Sequence, residues 1–514
     1  MKLNYKRTLC VGFAFFLITA FWQAYDTIIP KILTDRFGMS QSASGIIMAL
    51  DNVLALFLLP LFGVLSDKCK SKLGRRTPFI VAGTLASLLI FASLSFVDAA
   101  QLKKIEAVTD IHSMEVRELL YDYEYPEALL TPDGDEFVLQ EKFEKSEFIN
   151  LPAEDAEGKA TDGYTDYVVP ARQAYILNEV TKKDPSTLIL FIGVLFAVLL
   201  AMSTYRTPAV ALMPDVTPKP LRSKGNAVIN LMGTIGGSCI LGLGMVMGTG
   251  STKNSFMSYT GYFLAVAGLM LICLVLFVAT VKERKFVKDM EDVSKKYGID
   301  ESEQAQEGNK TLSKAERRSF LLLLASVIFW YMGYNAVTSK YSVYAGNVLN
   351  LDYNSSLLVA NIAALIAFIP VGIISTKLGR KKMVIAGVVM LGGAFLTAAF
   401  MDNGTPLPVM LVIFALAGIG WATINVNSFP MVVELAKGGN VGKYTGFYYT
   451  ASMAAQTVTP YISGLFMDNL GMKTLFPYAT VFVGLALITM ILVRHGDAIP
   501  VKAQSATDYI PDAD

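Results

Sequence analysis

The sequence predicts an all-α integral membrane protein of twelve transmembrane helices in two six-helix halves. Three observations carry that prediction. Of 514 residues, 53% are hydrophobic and only 17% charged, with a mean hydropathy of +0.46, which is too apolar for a soluble domain. Apolar runs of about 20 residues, the length that crosses a bilayer, recur along the chain. Between two of them lies a dense basic island, LFGVLSDKCKSKLGRRTPFI at residues 61–80, and a weaker copy, ISTKLGRKKM, returns at 374–383. A charged island between membrane-grade runs is a turn at a bilayer face, and its repetition implies duplicated halves.

The twelve candidate spans are residues 8–30, 42–65, 79–97, 186–206, 225–248, 260–281, 319–340, 353–375, 383–401, 406–430, 444–466 and 474–493. The basic start, MKLNYKR, resembles a secretory leader, but the apolar run continues into FWQAYD and reads as the first span. Positive residues gather on the cytoplasmic side. Lys68, Lys70, Lys72, Arg75 and Arg76 therefore place the 61–80 turn inside, together with both termini and the loops holding Arg222, Lys282 and Lys377. Residues 1–281 form one half and 319–494 the other, joined by a charged cytoplasmic linker at 282–318 that carries a short amphipathic helix. Residues 495–514 form a cytoplasmic tail. An acidic insert at 98–185 lies outside between spans three and four, either as a small cap domain or as a disordered loop; patches at 136–140 and 166–170 suit short strands.

Composition excludes several functions. Cys10, Cys69, Cys239 and Cys273 lie in spans or a cytoplasmic loop and imply no disulfide framework. His112 and His495 are isolated, so no metal site is expected. No phosphate-binding loop is present, and no nucleophile–base constellation marks an enzyme. The expected partners are a small solute and the lipid bilayer, with no nucleic acid, no cofactor beyond a coupling ion, and a monomeric state.

Two carboxylates fall inside spans. Asp51, in IIMALDNVLALFLL, sits about nine residues into span two, roughly 14 Å at 1.5 Å per residue. An intramembrane acid is costly and marks an ion pathway, a proton relay or a polar cavity; its alternative is a structural acid bonded to Asn52. Asp26 lies one helical turn from Trp22, and an indole beside a carboxylate suits a sugar, although Trp also gathers at the membrane interface. The second half supplies uncharged hydrogen-bonding groups in its spans: Tyr334, Asn335, Asn361, Trp421, Asn425, Asn427, Tyr448 and Gln456. Singly such groups bridge helices; as a set, with no unpaired arginine at mid-span to meet a carboxylate or phosphate, they favour a neutral polyhydroxyl solute. Asp67, Gly74, Arg75 and Arg76 suit a switchable cytoplasmic latch, echoed by Arg380. In RTPAVALMPDVTPKPLRSKGNAVIN, Pro208 and Pro214 are expected to break the helix, placing Arg206, Asp215 and Arg222 in a second cytoplasmic ion-pair element with Glu434 as its counterpart in the other half.

SDKCKSKLGRRTPFIVAG and the later ALMPD and RSKGNAVIN resemble segments of the glycoside, pentoside and hexuronide:cation symporters of the major facilitator superfamily. This group includes plant sucrose transporters and their animal and bacterial relatives. The second half matches in NSFPMVVEL and YTGFYYTAS. The resemblance implies the major facilitator fold and proton-coupled uptake of sucrose, maltose or a related glycoside at the cell membrane, with Asp67, Gly74, Arg75, Arg76, Pro208 and Asp215 on the group's motifs. Two departures matter: Val210 stands where plant members carry arginine, and Asp51 matches no acid in them. The coupling residue, and whether the ion is H+ or Na+, stays open, as does an exporter or a carrier of a non-sugar solute. A membrane sensor built on the same scaffold is the reading from another class.

Overall fold

The computed structural model describes residues 3–156, 158–218, 221–251, 254–297, 313–435 and 441–495. Twelve long helices dominate it: α1 (Tyr5–Lys31), α2 (Gln41–Asp67), α3 (Thr77–Lys104), α4 (Ser186–Val216), α5 (Arg222–Met247), α6 (Thr260–Thr280), α7 (Lys314–Asn347), α8 (Tyr353–Leu378), α9 (Arg380–Ala398), α10 (Leu407–Leu435), α11 (Val441–Leu470) and α12 (Leu475–Leu492). Eleven are long and apolar enough to cross a bilayer. The remaining one, α11, carries Gln456, Thr457, Thr459 and Ser463 and packs against α2 and α7. Helices satisfy their own backbone hydrogen bonds, the one open-ended solution available in hydrocarbon.

Each half has its own apolar core. Phe21, Ile28, Phe91, Leu195 and Phe263 centre the first, and Trp330, Tyr341, Leu391, Phe414 and Phe476 the second. The halves meet along α1–α7, α2–α11 and α5–α8. We name the two ends cytoplasmic and external by the positive-inside rule. The external part of α2 (Gln41, Ser44, Gly45, Ile47, Met48) is buried, whereas Phe57, Leu61, Val64 and Leu65 further down are exposed. On α11, Thr459, Ser463 and Met467 are buried externally, while Phe447 and Tyr449 are exposed near the other end. The seam is thus closed outside and splays towards the cytoplasm.

Three boundaries differ from the sequence expectation. Helix α3 runs on to Lys104, and Asp98, taken as the first residue of the insert, is fully buried in it, 3.3 Å from the Arg36 guanidinium. Helix α4 runs through Pro208 and Pro214 to Val216; packed transmembrane helices tolerate proline because neighbours re-satisfy the freed carbonyls. The insert folds around a core of its own, including Ile105, Leu120, Phe148, Val168 and Ile176. A short antiparallel pair joins Leu129–Leu130 to Glu136–Phe137, but residues 166–170, expected as a strand, are helical. The linker helix is Glu283–Lys296. Linker residues 298–312, tail residues 496–514 and Lys437 lie outside the described residues.

Candidate functional site

Two clusters collect the residues singled out above. The first lies at mid-membrane where the halves face each other. On α1, Trp22, Gln23 and Asp26 share a face because positions four apart stack along a helix. The Trp22 indole is held edge-on by Phe21 at 5.5 Å and Tyr25 at 5.4 Å. On α2, Asn52 Nδ2 donates to Asp51 Oδ1 at 2.8 Å. Arg206 of α4 places its guanidinium 5.1 Å from the Trp22 ring and interacts electrostatically with both Asp51 and Asp26. This corrects its expected place: continuity of α4 through Pro208 brings Arg206 beside Trp22, Asp26 and Asp51 instead of into the cytoplasmic turn. The Tyr25 hydroxyl and the Trp22 indole nitrogen are buried without hydrogen-bond partners.

The second half faces this group with aromatics and amides. Tyr334 stacks on Trp421 with ring centroids 3.6 Å apart and planes 2° from parallel, and Tyr334 lies within electrostatic range of Asp26. Tyr331 meets Trp421 edge-on at 5.3 Å and lies within electrostatic range of Tyr448, whose hydroxyl lies 3.0 Å from that of Ser428. Asn361 Nδ2 reaches Gln23 Oε1 across the seam at 3.4 Å. Trp22, Asp26, Asp51, Asn52, Tyr334, Asn361, Trp421 and Tyr448 are thereby drawn into one region.

Other expected residues serve the helices themselves. Asn425 donates to the Trp421 carbonyl and Asn427 to that of Thr423, each at 2.9 Å. Asn335 accepts weakly from Thr338 at 3.4 Å and leaves its buried amide nitrogen unpartnered. Gln456 is half-buried on α11. With both acids ionised, Asp26, Asp51 and Arg206 sum to one negative charge, which one monovalent cation neutralises. Aromatic faces bordered by carboxylate, amide and hydroxyl groups suit a solute with an apolar ring face and a hydroxylated rim.

The second cluster ties the cytoplasmic ends of α2, α3 and α4. Arg76 is its hub, buried to 5% exposure. Its Nε donates to Asp215 at 2.8 Å, and its remaining nitrogens reach Ser66 Oγ and Asp67 Oδ1. Burial works against the charge of Arg76, but Asp215 and Asp67 outweigh it and raise its pKa. Arg75 also pairs with Asp215, at 3.2 Å. These bonds lie within one half. Asp215 is therefore engaged by Arg75 and Arg76, whereas Arg222, expected as its partner, donates to the carbonyls of Thr217 and Pro214 that end α4.

Sequence reasoning missed Glu283. Its carboxylate accepts from the amides of Arg75 (2.6 Å), Arg76 (3.0 Å) and Thr77 (2.8 Å) and from Thr77 Oγ1 (2.8 Å), capping α3. It lies beneath Gly74, whose φ of +123° and lack of Cβ are both required, since a Cβ there would fall 2.2 Å from Glu283 Oε2. A lone acid inside the basic KERK run was its signal. In the other half Gly379 takes φ +90°, Arg380 begins α9, and Lys381 donates to the Ile491 carbonyl at 3.0 Å. The Glu434 side chain lies outside the described residues.

Comparison with known proteins adds the following. The chain matches the Major Facilitator Superfamily profile over residues 174–377 and 357–509 and the MFS/sugar transport protein profile over residues 10–107. It is 27% identical over 188 residues to the inner membrane metabolite transport protein YhjE of Escherichia coli, covering 34% of this chain and 41% of that protein. It is 21% identical over 199 residues to an uncharacterized MFS-type transporter of Methanocaldococcus jannaschii, covering 38% and 50%. The chain thus spans half or less of the curated relatives it matches. Among solved structures it resembles the inward-open xylose transporter XylE of E. coli, with a TM-score of 0.55, 13% identity and 98% and 99% of the two chains covered. It also resembles the nucleoside transporter NupG, with a TM-score of 0.52, 12% identity and 95% and 100% covered. At these identities the likeness concerns the fold.

Proposed function

The chain belongs to the Major Facilitator Superfamily, and from that premise we propose that it carries a neutral sugar or glycoside, such as sucrose or maltose, inward with one proton by alternating access. The carrying observation is the mid-membrane region where Trp22, Asp26, Asp51 and Arg206 of one half face Tyr334, Asn361 and Trp421 of the other. Substrate sites of such carriers lie between the repeats near the bilayer midplane. Aromatic faces bind the apolar side of a pyranose, while carboxylates and amides bind its hydroxyls. The excess of one carboxylate over Arg206 gives the cation its role: protonation of Asp51 or Asp26 neutralises the cavity, and the closed, dehydrated intermediate then encloses no net charge. Release follows when the halves part at the cytoplasmic end, in a cell or inner membrane with both termini inside. The Asp67–Arg76–Asp215 cluster, with Arg75 and Glu283, keeps its half rigid during that rocking.

The test is counterflow of radiolabelled neutral sugars in proteoliposomes, with and without a pH gradient. Exchange with at least one glycoside is expected, and absence of exchange with every neutral sugar refutes the reading. Asp51→Asn is expected to abolish gradient-driven accumulation while preserving exchange; full accumulation removes Asp51 as the proton site. Two further readings have specific support. Two carboxylates beside one guanidinium also suit Na+, which a sodium gradient at constant pH discriminates. The parallel Tyr334–Trp421 pair also suits a planar base, and NupG, a nucleoside transporter, is among the structural neighbours. Competition by unlabelled nucleosides separates that cargo from a sugar.

A further inference from the structure

The folded insert between α3 and α4 is attached very differently on its two sides. Towards its own half it is bound in depth. Lys104 meets Asp184 at 2.5 Å, and Thr181 Oγ1 donates to the Phe37 carbonyl at 2.9 Å. Alternating guanidinium and aromatic groups run from Arg36, just beyond α1, into the insert: Arg36 lies 5.0 Å from the Tyr259 ring and 5.3 Å from Phe256, Arg172 5.1 Å from Phe256 and 5.6 Å from Tyr164, and Arg117 5.3 Å from Tyr164. All three arginines are buried, so these contacts are desolvated and strong for their kind. The insert therefore moves with the first half.

Towards the second half it makes a shallow polar row on three separate external loops. The Lys473 amide, between α11 and α12, donates to the Pro132 carbonyl at 3.1 Å, and its Nζ meets Asp133 Oδ1 at 2.5 Å. Backbones touch beside it, where a Cβ on Gly134 would fall 2.4 Å from the Leu470 carbonyl oxygen. Asn350, between α7 and α8, donates to the Ala160 carbonyl at 3.0 Å. Asn403, between α9 and α10, donates to Asp162.

We infer that the insert is an outer strap: fixed to one half, it holds three external loops of the other and biases the carrier towards its outward-closed state, so it must release all three for the outside to open. This rests on the alternating-access reading, in which the external ends of the halves separate. Asparagine side chains have no slack to follow such a movement, and a backbone contact has none. Exposed polar contacts are individually weak, which makes the strap releasable. Its charge is one-sided: Asp133, Asp162 and Asp166 of the insert face Lys473. Burial first, then Asp133 and Asp162 of the same insert, push Asp166 up to about 6 against the pull of Lys473 across the seam.

The test bridges the strap shut. In a background with Cys10, Cys69, Cys239 and Cys273 replaced by serine, Asp162→Cys and Asn403→Cys are joined by a short bis-methanethiosulfonate. Solute uptake is expected to fall at least tenfold and to return on reduction; undiminished uptake by the bridged protein overturns the strap. Uptake by the unbridged protein is the control that separates failure of the strap from failure of the transport reading. A second measurement needs no substrate. With Gln41→Cys as reporter at the α2–α11 seam, the combined change Asn350→Ala, Asn403→Ala and Lys473→Ala is expected to speed labelling by an impermeant maleimide added outside by threefold or more. An unchanged labelling rate overturns the inference.

Discussion

Asp468→Ala should swing the protein towards an outward-open state. Near the end of α11, the Asp468 carboxylate accepts from the Gln41 amide at 2.7 Å, the Ser42 amide at 2.8 Å and Ser42 Oγ at 2.5 Å. One half thus caps the first turn of a helix in the other. Lys340 of α7, fully buried, donates to the Gln41 carbonyl and has Asp468 as the charge facing it. Loss of a cap side chain costs about 0.5–2 kcal/mol, and loss of the charge at the helix dipole about 0.3–1 kcal/mol. Water satisfies both groups once the seam opens, so these terms act on the closed state alone. With the added penalty for Lys340 left buried beside no carboxylate, the net shift is about 2–3 kcal/mol, or roughly 30- to 150-fold in population. Spin labels at Ser258→Cys and Gly404→Cys, on external loops of the two halves, read it as a longer-distance peak in double electron–electron resonance. Lys340→Met in the same background should restore part of the closed population by removing the orphaned charge. A distance distribution identical to that of the unmodified protein refutes the reasoning.

Three other outcomes follow from the same geometry. Glu283→Gln keeps one acceptor oxygen but turns an amide NH2 towards backbone donors, stranding at least one at a cost of about 1–3 kcal/mol; a lowered melting temperature and faster hydrogen exchange at the start of α3 check it. Tyr334→Ala removes the ring stacked on Trp421, a contact worth about 0.5–1.5 kcal/mol beyond buried area, and should weaken solute binding about tenfold in a thermal-shift titration while α7 stays folded. For Asp166, whose folded pKa is raised to about 6 from 3.8, the folded seam binds the proton more tightly than the unfolded chain. Its stabilising contribution is therefore complete below the unfolded value and lost as pH rises through about 6. Asp166→Asn should flatten that dependence in melts at pH 4.5 and 7.5.

The twelve helices and the doubling were legible because membrane length and charge asymmetry write themselves in long runs, and because LGRR and LGRK mark equivalent turns. The mid-membrane acids were legible for the opposite reason: a carboxylate among apolar residues is an exception. Arg206 was misplaced because two prolines were given their water-soluble meaning, whereas in a packed membrane bundle α4 continues through both. Glu283 was hidden by the basic residues around it, and only the third dimension brings it beneath Gly74. Order in the insert was illegible because its core residues, such as Ile105, Leu120, Phe148 and Ile176, come from short elements scattered through a charged stretch. Lys340 and Asp468 lay near expected span ends, where charges are ordinary, and their meaning depends on which half stands opposite.

The bonds of this protein divide by what they join, and the division bears on how it moves. Arg76 and Glu283 gather α2, α3, α4 and the linker helix inside one half, with buried, charge-assisted contacts that a rocking motion leaves intact. Asp468, Lys340, Asn354 and the strap join one half to the other, and all lie externally. Asn354 Nδ2, for example, reaches Thr249 Oγ1 at 3.1 Å between α8 and the end of α5. A rigid half with a breakable outer seam can exchange its two openings only if solute and ion bring the cytoplasmic ends together strongly enough to offset that seam. On the proposed reading the central charges set the condition: an unneutralised Asp26–Asp51–Arg206 group resists enclosure. Neutralisation by one cation lifts that resistance, and the outer seam then determines how large the remaining bias is. Coupling in this reading arises from the opposition of two differently built elements, a charged centre that opposes closure and a capped outer seam that opposes opening.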